Sequence, residues 1–137
     1  MRDAIYKNVL LVGLTIVVLH AASAAAIQCP QKIKTNQSLQ EKINGWDAFV
    51  DDWNAVHPLT HVTFYCHHPK EHASLAPDNE GTKGNKFIWT FDRNEFWIAC
   101  GYAGTTIQLI QKLPGQTKTC TVTYDDSNLV NSINCTS

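Results

Sequence analysis

Polar and apolar residues alternate most strictly near the end of the chain. From Thr117 to Tyr124, the threonines 117, 119, 121 and 123 fall on one side of an extended backbone, and Cys120, Val122 and Tyr124 on the other. This two-residue period predicts a strand with one wet and one buried face, the habit of an antiparallel sheet. The same alternation sets Phe96, Ile98, Cys100 and Tyr102 against Trp97 and Ala99. Turn signals at Tyr102-Ala-Gly and Leu113-Pro-Gly-Gln place a third strand, 105–112, between these two. Residues 62–66, 86–91 and 129–135 are further strand candidates, with Asp125-Asp-Ser-Asn128 as the turn before the last one. Ile33 and Lys34 predict a short strand after Cys29-Pro30, and 78–85 reads as a polar, glycine-containing loop.

Two segments carry helical signals. Trp46, Phe49, Val50 and Trp53 stand at i, i+3, i+4 and i+7, the spacing of one helix face. Pro69 opens a second short helix running to Ser74, with His68 at its N-cap. The expected fold is mostly β: a small antiparallel barrel or strongly curved meander sheet with one or two short helices, stapled by disulfides.

The first 26 residues have a different pattern. Arg2 and Lys7 precede an apolar run over 9–19, and small residues follow at 21–26. A basic start, an apolar core of 11 residues and an Ala-rich end predict a secretory signal peptide cut after Ala24 or Ala26. The core is too short for a bilayer anchor, which takes about 20 residues. The expected organisation is a signal peptide over 1–26 and a single β-rich domain over 27–137, exported to a periplasmic or secreted location. Removing Arg2, Lys7 and Asp3 from 11 basic and 12 acidic residues leaves a net charge of −2 with no basic block. Nucleic acid and, after cleavage, a membrane surface are therefore not expected partners.

An oxidising compartment lets cysteines pair, and five follow the cleavage site: Cys29, Cys66, Cys100, Cys120 and Cys135. If the strands holding Cys100 and Cys120 flank 105–112, they lie two strand spacings apart, about 9.5 Å. A disulfide requires Cα atoms within roughly 7 Å. The favoured pairing is Cys120–Cys135 with Cys29–Cys100; Cys29 with Cys120 or with Cys135 are the alternatives. Cys66 is left as the free thiol.

From Val62 to Tyr124 the chain resembles a family of small, largely uncharacterised exported bacterial proteins. The resemblance rests on Val62-Thr-Phe64, Pro69-Lys-Glu71, Leu75-Ala-Pro-Asp78 and Trp89-Thr90. Its strongest run is Trp97-Ile-Ala-Cys-Gly-Tyr-Ala-Gly-Thr105, followed by Leu113-Pro114 and Thr119-Cys-Thr-Val-Thr-Tyr-Asp125. Cys29-Pro30, Gly45-Trp46 and Ile133-Asn-Cys135 extend it over most of the remaining chain, with four framework cysteines. The resemblance implies export and a β-rich domain and carries no catalytic residues. Cys66 and the histidines around it depart from the pattern, which supports Cys66 as the unpaired thiol.

Candidate chemistry concentrates between residues 57 and 72, where His57, His61, His67, His68 and His72 accompany Cys66 and Glu71. Imidazole and thiolate suit Zn or Cu, and His68 and His72 at i, i+4 would share a helix face. The metal reading joins them with one of His57, His61 or Cys66, yet no recognised ligand spacing is present. Cys66 beside His67 evokes a thiol–imidazole pair, but strand neighbours face opposite sides. Hydrolytic candidates are Asp47 with Asp51 on the helix face, Asp92 with Glu95 across a hairpin turn, and Asp52 and Glu71; each also reads as a solvated charge. Among the aromatics, an exposed Trp46 and Trp53 would mark a partner or glycan surface.

Three functions compete. The first is a non-catalytic, inhibitor-like binding module for an envelope component or a foreign protein, with no cofactor. The second is a periplasmic Zn or Cu binder using the histidine cluster. The third, a small hydrolase, ranks last because no nucleophile elbow or metal motif is present. The first rests partly on analogy with small disulfide-bonded β domains.

Overall fold

The computed structural model describes residues 26–93 and 95–137. The signal-peptide segment, Ala26 apart, lies outside those residues. Eight strands follow one another: β1 Lys32–Lys34, β2 Val56–Cys66, β3 Ser74–Leu75, β4 Lys86–Thr90, β5 Phe96–Tyr102, β6 Gln108–Lys112, β7 Thr119–Tyr124 and β8 Val130–Thr136. They form two antiparallel sheets, β1-β2-β5-β6 with β3 added to β2, and β4-β7-β8, curled into a half-barrel. The mostly β, disulfide-stapled architecture read from the alternation is the one observed.

The order of strands differs from the expected meander. β6 pairs with β5 alone, while both edges of β7 are taken by β4 and β8. The reason lies in what each strand can bury. Cys120 and Val122 on β7 are fully buried against the sheet interface, whereas every residue of β6 is exposed. Leu113, buried after β6, and the Phe91 N–H donating to Lys118 O (2.8 Å) carry the chain across to the second sheet. Nor do Asp92 and Glu95 flank a hairpin, since β4 and β5 belong to different sheets.

β2 starts six residues earlier than its apolar pattern predicts. His57 and Leu59 are buried at odd positions, Val62 and Phe64 at even ones, and the register with β5 shifts between Leu59 and His61. A bulge at that point exchanges the two faces and hides the first half of the strand from a period-two search.

Aromatic rings join the sheets. Phe64 of β2 stands 4.9 Å from Trp89 and 5.3 Å from Phe91, and Phe91 lies 4.8 Å from Phe96, centroid to centroid. The Trp89 indole N–H donates to Leu75 O at 3.1 Å, so the ring's polar atom is satisfied inside the core. Two disulfides staple the edges. Cys29–Cys100 ties the segment before β1 to β5, with Cα atoms 5.8 Å apart, and Cys120–Cys135 bridges directly opposed residues of β7 and β8. Cys66 carries a free thiol.

Neither expected helix forms. Among the described residues the helical elements are two 3-10 turns, Asp52–Asn54 and Pro69–Glu71. Residues 46–50 have no regular structure, and Trp46, Phe49, Val50 and Trp53 are all exposed. A helical spacing of apolar residues stabilises a helix only where that stripe finds a surface to pack on, and isolated helices this short are marginal in water. The second turn is capped by His68, as expected, but stops at His72, whose left-handed backbone (φ 58°) returns its N–H to Pro69 O. Ser74 and Leu75 then pair with β2 instead of extending the turn.

Candidate functional site

The longest irregular stretch connects β1 to β2. Residues 36–54 are exposed without exception, although they include Leu39, Ile43, Trp46, Phe49, Val50 and Trp53. Trp46 is 78 % exposed, Phe49 88 % and Trp53 93 %, well beyond the scattered apolar exposure of an ordinary surface. Each side chain left in water forgoes roughly 1.5–3 kcal/mol of burial. This arm therefore contributes little apolar burial to the fold that displays it.

The base of the arm is held firmly. Thr35 N–H donates to Ala55 O at 2.9 Å, closing the two ends, and Gln37 Nε2 reaches Gly104 O at 3.3 Å. Beneath them His57 is buried with both ring nitrogens engaged. Its Nδ1–H donates to Ala103 O (2.6 Å), which leaves Nε2 to accept from the Thr35 hydroxyl (2.8 Å). Gly104, at φ +73°, sits close enough that a Cβ would come within 3.2 Å of His57 Nδ1. One imidazole thus joins the end of β1, the start of β2 and the turn after β5. Between arm and body lies an open groove of about 780 Å³, walled by Leu39, Phe49 and Val50 on one side and Val56, Pro58 and Ala103 on the other.

Local hydrogen bonds shape the far end of the arm. The Asp51 carboxylate accepts from Trp53 N–H and Asn54 Nδ2, both at 3.1 Å, and so caps the 3-10 turn that presents Trp53. Glu41, Asp47, Asp51 and Asp52 against Lys42 give residues 36–54 a net charge of −3.

The histidines do not converge. An extended strand advances about 3.3 Å per residue, so His57 and Cys66, at opposite ends of β2, stand roughly 30 Å apart. The His61 ring lies over Gly101, where a Cβ would overlap it, and His61 Nδ1 meets Thr60 Oγ1 at 3.0 Å. His67 Nδ1 faces Glu95 Oε2 at 3.6 Å, and His68 accepts from Lys70 N–H while packing 4.7 Å from the Trp97 ring. His72 ends a turn too short to align it with His68. Among the described residues no three His, Cys, Asp or Glu side chains are grouped to hold a metal.

The hydrolytic candidates are likewise dispersed and exposed. Asp92 pairs with Arg93 at 3.2 Å and holds its guanidinium above the usual arginine range, and Glu95 lies between His67 and Lys112. Asp47 and Asp51 share no helix face, because no helix forms. Burial pushes the Tyr124 phenol up, an effect offset in part by the Val62 N–H that it accepts at 3.4 Å, and burial also raises Tyr102, whose hydroxyl donates to Pro30 O.

Of the residues singled out in the sequence, Trp46 and Trp53 thus lie together on an exposed arm. Phe49 and Val50 are their neighbours there, although the helical spacing assigns them a buried face. Leu39 and Ile43 carried no signal beyond their type. No curated protein and no solved structure matches the chain. A family model described as "Type VI secretion system Tli immunity protein" matches residues 53–136, from the last residues of the arm through β8 and more than half of the chain, so the protein belongs to that family.

Proposed function

We propose that this protein confers immunity by binding a type VI effector protein in a stoichiometric, non-catalytic complex. The carrying observation is an aromatic surface held out by a well-anchored base, with Trp46, Phe49 and Trp53 in water, on a chain of an immunity-protein family. Buried aromatic anchors dominate the energetics of protein–protein contacts, and Trp is the residue most enriched among them. His57 is buried in a structural hydrogen-bond path, and among the described residues no three His, Cys, Asp or Glu side chains are grouped to hold a metal, which supports binding rather than turnover. The signal-like segment over 1–26 and the two disulfides support export to an oxidising compartment as the place of action.

The test is to produce type VI effectors in the envelope of a sensitive strain, with and without the full chain. The effector whose toxicity is suppressed is then purified and mixed with the chain. A complex of defined stoichiometry, with the effector chemically intact and protection requiring at least equimolar chain, is expected. Protection at far below equimolar chain, or a cleaved or modified effector, would overturn the proposal.

A further inference from the structure

We infer that the arm over 36–54 is the specificity-determining element, and that it fills an apolar cleft on the effector whose rim is basic. The inference rests on the immunity reading and names the surface and the partner chemistry for it. Three observations combine. The family match begins at residue 53, so all but the end of the arm lies outside the part of the fold that the family model describes. The arm makes no contribution to the buried core, so its composition can change without cost to the scaffold. Its apolar anchors are interleaved with acids, Trp46 beside Asp47 and Trp53 beside Asp52, and the segment carries a net charge of −3.

Recognition chemistry follows from that composition. Large aromatic side chains supply contact area at small entropic cost, and they contribute most where a partner pocket excludes water around them. Carboxylates beside them favour a rim of lysine or arginine, since an acidic or apolar rim would leave them repelled or desolvated without a partner. The anchored base, through Thr35, His57 and the Cys29–Cys100 bridge, restricts the arm before binding and lowers the ordering cost.

Affinity is measured by calorimetry, and association rate by surface plasmon resonance, with the purified effector that the wild-type chain protects against. Trp46→Ala with Trp53→Ala is expected to weaken binding by about a hundredfold or more. Asp47→Lys with Asp52→Lys, which leaves the Asp51 cap in place, is expected to slow association at least tenfold at low salt and to flatten its salt dependence. Both variants should keep the wild-type far-ultraviolet circular dichroism and melting temperature, because the substituted side chains are exposed and outside the core. A Leu109→Lys variant on the exposed β6 edge serves as the contrast and should bind like wild type. If the arm variants bind normally, or if Leu109→Lys alone abolishes binding, the arm inference falls while the immunity reading stands. If the wild-type chain forms no complex with any effector it is tested against, both fall.

Discussion

At the scale of single residues, His57 shows how a side chain that looks chemical can be structural. Its two nitrogens close a hydrogen-bond path from Thr35 to Ala103, and no polar side-chain atom in the buried described residues is left without a partner. Replacing His57 with Ala would strand the Thr35 hydroxyl and the Ala103 carbonyl and open a cavity, costing about 2–4 kcal/mol. Urea unfolding should show this as a lower midpoint with an unchanged slope. Tyr124 sets a limit on the alkaline side. Its phenol is raised above the ordinary value of 10.0 by burial, so the folded state resists the phenolate more than the unfolded chain does. Stability is therefore fully present below about pH 10 and declines as pH climbs toward the folded value. The decline should shrink in Tyr124→Phe, measured in a Cys66→Ser background so that thiolate exchange does not intervene. The histidine cluster was legible in the sequence only as density. Residues close in sequence separate quickly once a strand extends them, and β2 carries His57 away from His68 for that reason.

Elements record where a periodic pattern is informative. β7 was readable because Thr119, Thr121 and Thr123 are only half-buried while Cys120 and Val122 are fully buried, so the two-residue period has a physical cause; Thr117, just before the strand, is buried against that pattern. The four-residue stripe at 46, 49, 50 and 53 has the helical spacing without the cause, since nothing in the fold lies against it. The start of β2 was illegible because the bulge between Leu59 and His61 swaps the faces. The reach across one hairpin gives Cys120–Cys135 its physical reason, since the two residues stand directly opposed on β7 and β8, whereas the spacing argument for Cys29–Cys100 relies on a meander order that the two-sheet topology replaces. Their contributions should scale with the loop each closes. The Cys120–Cys135 bridge spans 15 residues, for which loop entropy gives about 3 kcal/mol, and Cys29–Cys100 spans 71, for which it gives between 4 and roughly 4.7 kcal/mol. Paired Cys→Ala variants compared by thermal melting should rank accordingly, with Cys29→Ala/Cys100→Ala the less stable.

For the whole molecule, the decisive division is between a curled β scaffold and one long exposed connection. The scaffold's class could be read from alternation and cysteines; the connection could not, because exposure of apolar residues is a property of what fails to pack around them. Residues 36–54 are also the part of the described chain most open to a protease, with few backbone hydrogen bonds of their own. Brief digestion with chymotrypsin should cut at Trp46, Phe49 or Trp53 before any strand is reached. The Cys29–Cys100 bridge spans that cut, so the N-terminal fragment stays attached. Without reductant the digested protein should run as one band and with reductant as two, while the melting temperature stays close to that of the intact chain. If the arm binds the effector as proposed, severing it would produce a molecule that is covalently linked, still folded and yet disarmed, so that its persistence and its protective capacity can be lost on separate clocks.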